Sequence, residues 1–258
     1  MSQIIRARRA ERRWLAPLAL VLVWEAASRA GVLPERVLAA PSIVAGTLWS
    51  MTASGELAHN LLVSLSRAAA GLAIGLAVGI ALALAAGLSR AGEAAIDPLV
   101  QIKRTIPTLA LTPLFIIWFG IGEQPKILLI ALATVFPVYL NLFTGIRGVD
   151  VRLIEAARSL GLGRTQIILN VVLPGAMPAL LTGIRYALGT AVLVLVVAEQ
   201  INASAGLGAL INQARDFMQT EVIVVCIIVY AALGLGGDAI VRLAERRLLA
   251  WRPSLLGQ

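Results

Sequence analysis

The sequence predicts an all-α, polytopic integral membrane protein with six transmembrane helices and both termini in the cytoplasm. Of its 258 residues, 59% are hydrophobic and only 14% are charged, whereas a soluble domain carries about 25% charged residues. The apolar residues gather in runs of the roughly 20 residues that a helix needs to cross about 30 Å of hydrocarbon. No solenoid repeat and no linker rich in Pro or Ser divides the chain, so we expect a single transmembrane domain over residues 1–258.

Six apolar runs have the required length. The fourth contains no charged residue, whereas Glu25 interrupts the first. A charge in the middle of a span costs about 2.5–3.5 kcal/mol, and a Leu or Ile returns only about 0.3–0.6 kcal/mol. Glu25, Arg67 and Arg185 are therefore expected to lie near span ends, to snorkel or to face protein. The expected spans are residues 14–31, 61–88, 105–122, 127–146, 176–198 and 222–243.

The first segment has a second interpretation. Five arginines precede its apolar run, as in the charged and apolar regions of a signal peptide. No persuasive small-residue cleavage site follows Glu25, and the charge balance of the later loops favours a retained span.

Lys and Arg are distributed unevenly between the two sets of loops. Of the 22, sixteen fall on one side, four on the other and two inside spans. Cytoplasmic loops retain positive charge, so both termini and the loop after the fourth span are predicted to be cytoplasmic. Topology and contact with anionic headgroups then explain the net charge of +8 without a nucleic-acid partner. The sixteen are Arg6, Arg8, Arg9, Arg12, Arg13, Arg90, Lys103, Arg104, Arg147, Arg152, Arg158, Arg164, Arg242, Arg246, Arg247 and Arg252.

Small residues recur at every fourth position of the second span. They are Gly71, Gly75, Gly79, Ala83 and Gly87. This spacing places them on one helix face, where a second backbone can approach closely. The neighbouring helix belongs either to the same subunit, which we favour, or to a dimer mate.

The chain offers little for catalysis or ion coupling. It has one Cys, one His and no G-x-x-x-x-G-K-[ST] phosphate loop. We therefore predict no catalytic, cofactor-binding or metal-binding residues, and any ATP-driven work requires another polypeptide. Ionisable residues are nearly missing from the span centres, which argues against a proton- or sodium-coupled carrier.

Polar residues within or beside the spans are candidates for a translocation path. Glu199, at the outer end of the fifth span, is the most suggestive of them, and its alternative interpretation is a solvated carboxylate at a helix end. The candidates are Thr105, Thr108, Thr112, Tyr139, Asn141, Thr144, Thr190, Glu199 and Gln200.

The best-patterned polar segment lies between the fourth and fifth spans, at residues 147–175. Asp150 is expected to cap a helix that begins at Val151, and Gly161 is expected to end it in the left-handed conformation. A second short helix is expected from about Arg164 until Pro174 stops it.

The first of these short helices has two faces. Its apolar face combines Leu153, Ala157 and Leu160, and a different face combines Arg152, Glu155 and Ser159. Such a helix can bury one side against its own membrane domain and present the other to a partner. Alternatively, it lies on the lipid headgroups.

The residues Glu155, Ala156, Ala157, Gly161, Leu173 and Pro174 stand at spacings that resemble the EAA signature of permease subunits in bacterial ABC importers, EAA-x3-G-x9-I-x-L-P. Six of its seven defined positions agree, and Val171 replaces the usual Ile. The segments WEAASRAG, DPLVQIKRTIPTLALTPLFIIWFGIGE, GLGALI and ERRLLAW are similar to the nitrate, sulfonate and taurine branch of that family. The resemblance covers the chain from about Trp24 to Trp251.

The resemblance implies a type I importer permease in the bacterial inner membrane. Its expected partners are a second copy of the chain, two cytoplasmic ATPase subunits that bind ATP and Mg, and an external substrate-binding protein. The short cytoplasmic helix would be a coupling helix seated in a groove of the ATPase. The residues assigned to coupling are Arg152, Glu155, Ala156, Ala157, Arg158, Ser159, Gly161, Leu173 and Pro174.

The branch of the family implies that the solute is a small anion such as a sulfonate, taurine or nitrate. The residues alone leave two other functions open. One is an ion-coupled carrier that acts by itself, and the other is a membrane scaffold that transports nothing and holds a cytoplasmic enzyme.

Overall fold

The computed structural model describes the backbone of residues 2–251 and the side chains of residues 16–251 except that of Asn202. Within this range the chain forms helices and no strand. The side chains of the five N-terminal arginines, and all of Arg252, lie outside the described residues. The helices are α1 (Ser2–Arg29), α2 (Pro41–Ala53), α3 (Glu56–Gly87), α4 (Arg90–Thr105), α5 (Thr112–Phe119), α6 (Glu123–Arg147), α7 (Val151–Ser159), α8 (Arg164–Ile167), α9 (Leu173–Asn202), α10 (Leu207–Asp216) and α11 (Thr220–Leu248).

Four helical stretches are long and apolar enough to cross a membrane. They are α3, α6, the stretch Arg164–Ile201 and α11, and their lengths are 32, 25, 38 and 29 residues. The all-α membrane fold is thus confirmed, and these stretches contain the second, fourth, fifth and sixth predicted spans. The first predicted span lies in α1, which exposes Leu18, Leu20 and Leu22. Six crossings and cytoplasmic termini stay predictions.

The third predicted span, Thr105 to Gly122, is wrong as a continuous helix. α4 ends at Thr105, a 3-10 turn occupies Thr108–Leu111, and the axis bends by 88° before α5. The cause is Pro107, which lacks an N–H and forces the preceding Ile106 into an extended conformation at φ −87° and ψ 119°. α5 has 8 residues and covers only about 12 Å. Any crossing here therefore includes α4.

α4 extends along the C-terminal half of α6 in the opposite direction. Its Glu93 pairs with Arg147, the Tyr139 hydroxyl donates to Asp97 Oδ1 at 3.0 Å, and the Arg104 guanidinium lies 5.8 Å from the centre of the Phe136 ring. The C-terminal end of α4 consequently reaches the middle of α6. Lys103 and Arg104, which the sequence places in a loop, lie in the last turn of α4 just before the bend, and their placement on the cytoplasmic side stays a prediction.

The expectation that Pro174 stops a second short helix is also wrong. A π-helical segment, Ile168–Val172, joins α8 to α9, and the helical stretch continues to Ile201. Pro174 occupies the first turn of α9, where its missing N–H costs least. The preceding π turn re-routes the backbone hydrogen bonds that the proline ring would otherwise disrupt.

The described chain divides into two compact units. The first comprises Met1–Leu62 and Ser204–Val229, and the second comprises Val63–Ala203 and Tyr230–Gln258. In the first unit, Glu25 of α1 accepts hydrogen bonds from the backbone N–H and the hydroxyl of Ser42 at 3.0 and 2.8 Å, and it pairs with Arg29 at 2.6 Å. Glu25 therefore faces protein at the start of α2. This is one of the placements predicted from the free-energy cost of a charge in the middle of a span.

In the second unit the glycine stripe of α3 packs against α6 of the same chain, as we favoured. A Cβ atom added at Gly71 would lie 2.6 Å from Ile130 Cβ, and one at Gly79 would lie 2.9 Å from the Val135 carbonyl oxygen. Both distances are shorter than van der Waals contact. The two backbones approach so closely that only glycine fits between them.

The core of this unit collects apolar residues from six α-helices and from the π-helical segment. Ala86 of α3, Val100 of α4, Leu142 of α6, Ala157 of α7 and Ala176 of α9 belong to one buried cluster. α6 and α9 approach closely where a Cβ added at Gly145 would lie 2.5 Å from Ala179 Cβ. The short helix α7 is thus part of the same packed body as the spanning helices.

We predict that Gly75→Ala destabilises the second unit. The added methyl would overlap the Thr134 hydroxyl and lie 2.8 Å from the Ala131 carbonyl oxygen. Overpacking of this kind costs about 1–3 kcal/mol. The thermal unfolding midpoint of the purified protein in detergent should fall. Gly234→Ala in α11 is the control, because a Cβ there meets nothing within 4 Å. An equal effect of both substitutions would contradict the packing described above.

Candidate functional site

A buried cluster of charged and polar side chains joins four helices of the second unit. Arg67 of α3 is 3% exposed and Glu199 of α9 is 0% exposed. The guanidinium Nη1 of Arg67 donates to Glu199 Oε1 at 2.6 Å. The Ser64 hydroxyl lies 2.8 Å from both carboxylate oxygens, and the Tyr230 hydroxyl of α11 donates to Oε2 at 2.9 Å. Donors from two further helices thus surround the Glu199 carboxylate.

The remaining edge of the Arg67 guanidinium holds Glu123, the first residue of α6. Nη2 donates to Glu123 Oε1 at 2.7 Å, and Nε bonds the second oxygen. Lys126 Nζ lies 3.3 Å from the same Oε1 and donates to the Gly122 carbonyl at 3.0 Å. The Glu123 side chain is 52% exposed. The cluster is therefore buried at Glu199 and exposed at Glu123.

The cluster balances its charges internally. Two cations, Arg67 and Lys126, face two carboxylates, Glu123 and Glu199. Breaking a buried pair by removing one partner costs about 3–5 kcal/mol, because the other charge is left uncompensated. The cluster consequently fixes the first half of α3, the start of α6, the end of α9 and the first half of α11 at one level.

A second ion-pair group joins α9 to α11, at a position earlier along α9 and later along α11 than the first. Arg185 Nη2 lies 2.5 Å from Glu245, and its Nε lies 3.2 Å from Asp238. Together with the Glu199 to Tyr230 bond, these contacts show that α9 and α11 run in opposite directions. Arg67 and Arg185 both face protein partners. This is one of the placements predicted from the free-energy cost of a charge in the middle of a span.

The predicted path residues lie in several different environments. Glu199 is not a solvated carboxylate at a helix end, because it is fully buried. Tyr139 is also fully buried, and Thr112, which is 5% exposed, donates to the Leu109 carbonyl at 2.7 Å. Thr108 accepts a hydrogen bond from Lys103 at 3.3 Å. Gln200, Thr105 and Thr144 are exposed or partly exposed.

Asn141 and Thr190 line one pocket together. Its volume is about 480 Å³, and Lys103, Arg104 and Tyr186 also contribute to its wall. Lys103 and Arg104 thus place two cations beside the middle of α6 and α9. The sequence-based count of charges in span centres placed both residues outside the third span.

The segment predicted to be cytoplasmic, residues 147–175, has the expected local structure at its start. The Asp150 carboxylate accepts a hydrogen bond from the Arg152 N–H at 2.9 Å and caps α7, which begins at Val151. Hydrogen bonds from the Arg152 side chain and backbone hold the pKa of Asp150 below its ordinary value. The cap therefore stays charged, and the stability it contributes is lost only in acid, as the pH falls through this lowered pKa.

The turn after α7 depends on Gly161. Its φ is +81°, a left-handed conformation that glycine adopts without strain. The Gly161 N–H donates to the Arg158 carbonyl at 2.9 Å, and the Leu162 N–H donates to the Ala157 carbonyl at 3.1 Å. These bonds satisfy carbonyl groups at the end of α7.

The predicted apolar face of α7 is wrong in two of its three residues. Ala157 is 7% exposed, but Leu153 is 58% and Leu160 is 81% exposed. Ile154 packs inward beside Ala157 instead. The buried stripe is therefore narrower than predicted, because one small and one branched residue suffice to attach a nine-residue helix. Its outward surface displays Leu153 and Leu160 beside Arg152, Glu155 and Ser159.

Polar contacts also tie the cytoplasmic segment to the spanning helices. Arg164 Nη2 lies 3.4 Å from the Leu88 carbonyl, which follows the end of α3. Arg147 Nη2, at the end of α6, lies 3.4 Å from the Ala86 carbonyl and also pairs with Glu93. A force applied to the outward surface of α7 would therefore act on the helix ends directly.

Among the described residues no group of three or more His, Cys, Asp and Glu side chains is placed to hold a metal ion.

Residues 75–250 match the family described as the binding-protein-dependent transport system inner membrane component. The chain belongs to this family. It is an ABC transporter permease, and its membrane helices carry the transport function of that family. The matched range contains both the outward surface of α7 and the pocket beside α6 and α9.

Three named transport permeases are similar over most of the chain. It is 48% identical to a putative aliphatic sulfonates transport permease, SsuC of Escherichia coli, over 93% of this chain and 92% of the relative. It is 45% identical to SsuC of Bacillus subtilis over 94% and 88%. The taurine transport permease TauC of Escherichia coli is 38% identical over 84% and 78%.

A solved structure confirms the fold independently. A chain of an amino acid ABC transporter crystallised with histidines superposes with a TM-score of 0.63 at 20% identity. The match covers 78% of the permease and 97% of that chain. The similarity concerns the arrangement of helices alone, because the identity is low.

The sequence indicates only part of the charge cluster. It singles out Arg67 and Glu199 separately and gives no indication of Ser64, Lys126 or Tyr230. The signal that could have joined the first two is electrostatic, since a charge inside an apolar helix requires an opposite charge on another helix. Ser64 gave no such signal, because a lone hydroxyl in a span also bonds its own helix backbone.

We predict that Glu199→Gln lowers the stability of the permease by about 3–5 kcal/mol, because Arg67 would be left with one partner of two. The thermal unfolding midpoint in detergent measures the effect. Glu35→Gln, at an exposed position, is the matched control and should change nothing. The double variant Arg67→Met with Glu199→Gln should be less destabilised than the sum of the two single variants. Strict additivity would show that the two residues do not depend on each other.

Proposed function

We propose that this permease carries an aliphatic sulfonate across the bacterial inner membrane as the non-catalytic subunit of an ATP-driven importer. One observation carries the choice of solute. The two relatives reported at 48% and 45% identity, each matched over more than 90% of this chain, are both putative aliphatic sulfonate permeases. Taurine, the solute named for the 38% relative, is itself a sulfonate, which supports the same chemical class.

The proposed assembly contains two copies of the permease, two cytoplasmic ATPase subunits and an external binding protein. ATP and Mg bind the ATPase subunits, because the chain has no phosphate-binding loop. The binding protein delivers the sulfonate to the outer end of the spanning helices. The permease contributes the path and performs no covalent chemistry.

The outward surface of α7 is the proposed docking site for the ATPase. It presents Leu153 and Leu160 as exposed apolar side chains, flanked by the charges of Arg152 and Glu155. An apolar centre with a polar rim is the usual composition of a protein interface. Because Ala157 and Ile154 anchor the helix in the core of the second unit, movement of the ATPase would displace α3, α6 and α9 together.

The coupling role predicts a difference between two neighbouring glycines. Gly161→Pro should abolish ATP-dependent uptake, since proline cannot adopt the φ of +81° found there. Gly163→Ala should be tolerated, because Gly163 has a φ of −71°. Glu155→Lys should also uncouple ATP hydrolysis from uptake by reversing a charge on the docking surface. All three variants should insert into the membrane, which surface labelling of the purified membranes checks. Normal uptake together with co-purification of the ATPase in Gly161→Pro and Glu155→Lys would contradict the coupling role.

Reconstituted uptake tests the proposed function directly. Proteoliposomes that contain the permease and its ATPase, with ATP in the compartment of the ATPase, should accumulate radiolabelled ethanesulfonate when loaded binding protein is added outside. Omission of ATP, ATPase or binding protein should each stop uptake. Uptake driven by an ion gradient without the ATPase would establish an ion-coupled carrier instead. Absence of uptake of ethanesulfonate and taurine by the complete assembly would reject the proposal.

A further inference from the structure

The pocket between α4, α6 and α9 contains a pair of cations that the fold leaves without carboxylate partners. Lys103 Nζ lies 3.3 Å from the Thr108 hydroxyl, and the Arg104 guanidinium lies over the ring of Phe136 at 5.8 Å. Within the described residues, neither cation forms a salt bridge with an Asp or Glu. Asp97, the acid nearest to them along α4, accepts hydrogen bonds from Tyr139 and Gln101.

Other cations on the spanning helices of this unit form salt bridges with carboxylates. Arg67 pairs with Glu123 and Glu199, Arg147 pairs with Glu93, and Arg185 pairs with Asp238 and Glu245. At these three positions the fold supplies carboxylate partners. Lys103 and Arg104 have no such partner among the described residues and line a pocket.

The pocket lies beside the middle of two spanning helices, α6 and α9. Its wall includes Phe136, Pro137 and Asn141, which are central in α6, and Tyr186 and Thr190, which are central in α9. A charged side chain at the centre of a span costs about 2.5–3.5 kcal/mol. Ionisable residues at that depth face a water-filled cavity or a ligand of opposite charge, and they mark solute pathways.

We propose that Lys103 and Arg104 form an anion site on the translocation path, and that its ligand is the sulfonate group of the transported solute. This inference rests on the proposed function, because a solute site at mid-membrane requires a permease. Lys103 supplies a compact ammonium, and Arg104 supplies a planar set of donors suited to two oxygens of an oxyanion. The phosphate of an anionic lipid shares this chemistry.

Neutral groups in the pocket complete the site. The Asn141 amide uses one N–H to bond the Pro137 carbonyl at 2.8 Å, so its second N–H can donate to a sulfonate oxygen. The Thr190 hydroxyl proton already bonds the Tyr186 carbonyl at 2.8 Å. The volume of about 480 Å³ is within the range of small-molecule sites. It exceeds the size of a short sulfonate, so the anion keeps part of its water and leaves the site readily.

The test is equilibrium binding of radiolabelled ethanesulfonate to the purified permease–ATPase complex in detergent, without binding protein. Lys103→Gln and Arg104→Gln should each weaken binding about tenfold or more, because each removes a charge-assisted hydrogen bond. Arg90→Gln removes the same charge from the exposed end of α4 and should leave binding unchanged. Lys103→Arg should retain binding, which separates loss of charge from loss of folding.

Two competitors identify the ligand. Ethyl methyl sulfone, a neutral molecule of similar size, should not displace ethanesulfonate, and unlabelled taurine should. Displacement by short-chain phosphatidylglycerol at a lower concentration than by taurine would assign the cations to lipid and overturn the proposal. Equal binding by wild type, Lys103→Gln and Arg104→Gln would also overturn it, as would a wild-type complex that binds no ethanesulfonate.

Uptake measurements separate this inference from the proposed function. If reconstituted wild type and both Gln variants transport ethanesulfonate equally, the anion site is rejected while the importer function stands. If the complete wild-type assembly transports no sulfonate, the proposed function itself fails. Slow uptake by the Gln variants, with ATPase activity that loaded binding protein still stimulates, is the result expected for a path site.

Discussion

The ion pair between Arg67 and Glu199 is the contact on which the second unit depends. Hydrocarbon cannot solvate an ion, so a charge inside a spanning helix must find its counter-charge on another helix. Glu199 obtains Arg67 and Ser64 from α3 and Tyr230 from α11, and Arg67 extends the network to Glu123 at the start of α6. Apolar packing alone would allow these helices to slide along one another. The cluster fixes their register.

The spanning helices were the most predictable part of the fold. Their apolar runs are long, and the bilayer requires helices to satisfy their own backbone hydrogen bonds, so composition was sufficient for α3, α6, α9 and α11. At two prolines the structure differs from what the apolar runs and the helix-breaking effect of proline predicted. Pro107 broke a helix that the apolar run predicted to be continuous, and Pro174 failed to end one. The outcome at each proline depends on whether neighbouring elements can re-route the backbone bonds, and a single sequence does not show this.

The candidate site was predicted unevenly for a related reason. Asp150 and Gly161 act through their own backbone neighbourhood, so their cap and turn could be read from the sequence. The buried side of α7 depends on what packs against it, and the structure uses Ile154 where the periodicity indicated Leu153 and Leu160. Lys103 and Arg104 were placed in a loop because positive charge usually marks a span end. Their position beside the middle of α6 follows from the packing of α4 along α6, which is a long-range property.

The π-helical segment between α8 and α9 places a limit on the length of the chain. The stretch Arg164–Ile201 has 38 residues and measures about 57 Å as one helix. Glu199 lies near its far end, and each residue inserted into an α-helix turns everything beyond it by about 100°. One added or deleted residue would point Glu199 away from Arg67, unless a local distortion absorbed the change. Residues 168–172 already form such a distortion, so the number of residues between the cytoplasmic segment and the charge cluster is itself a structural constraint.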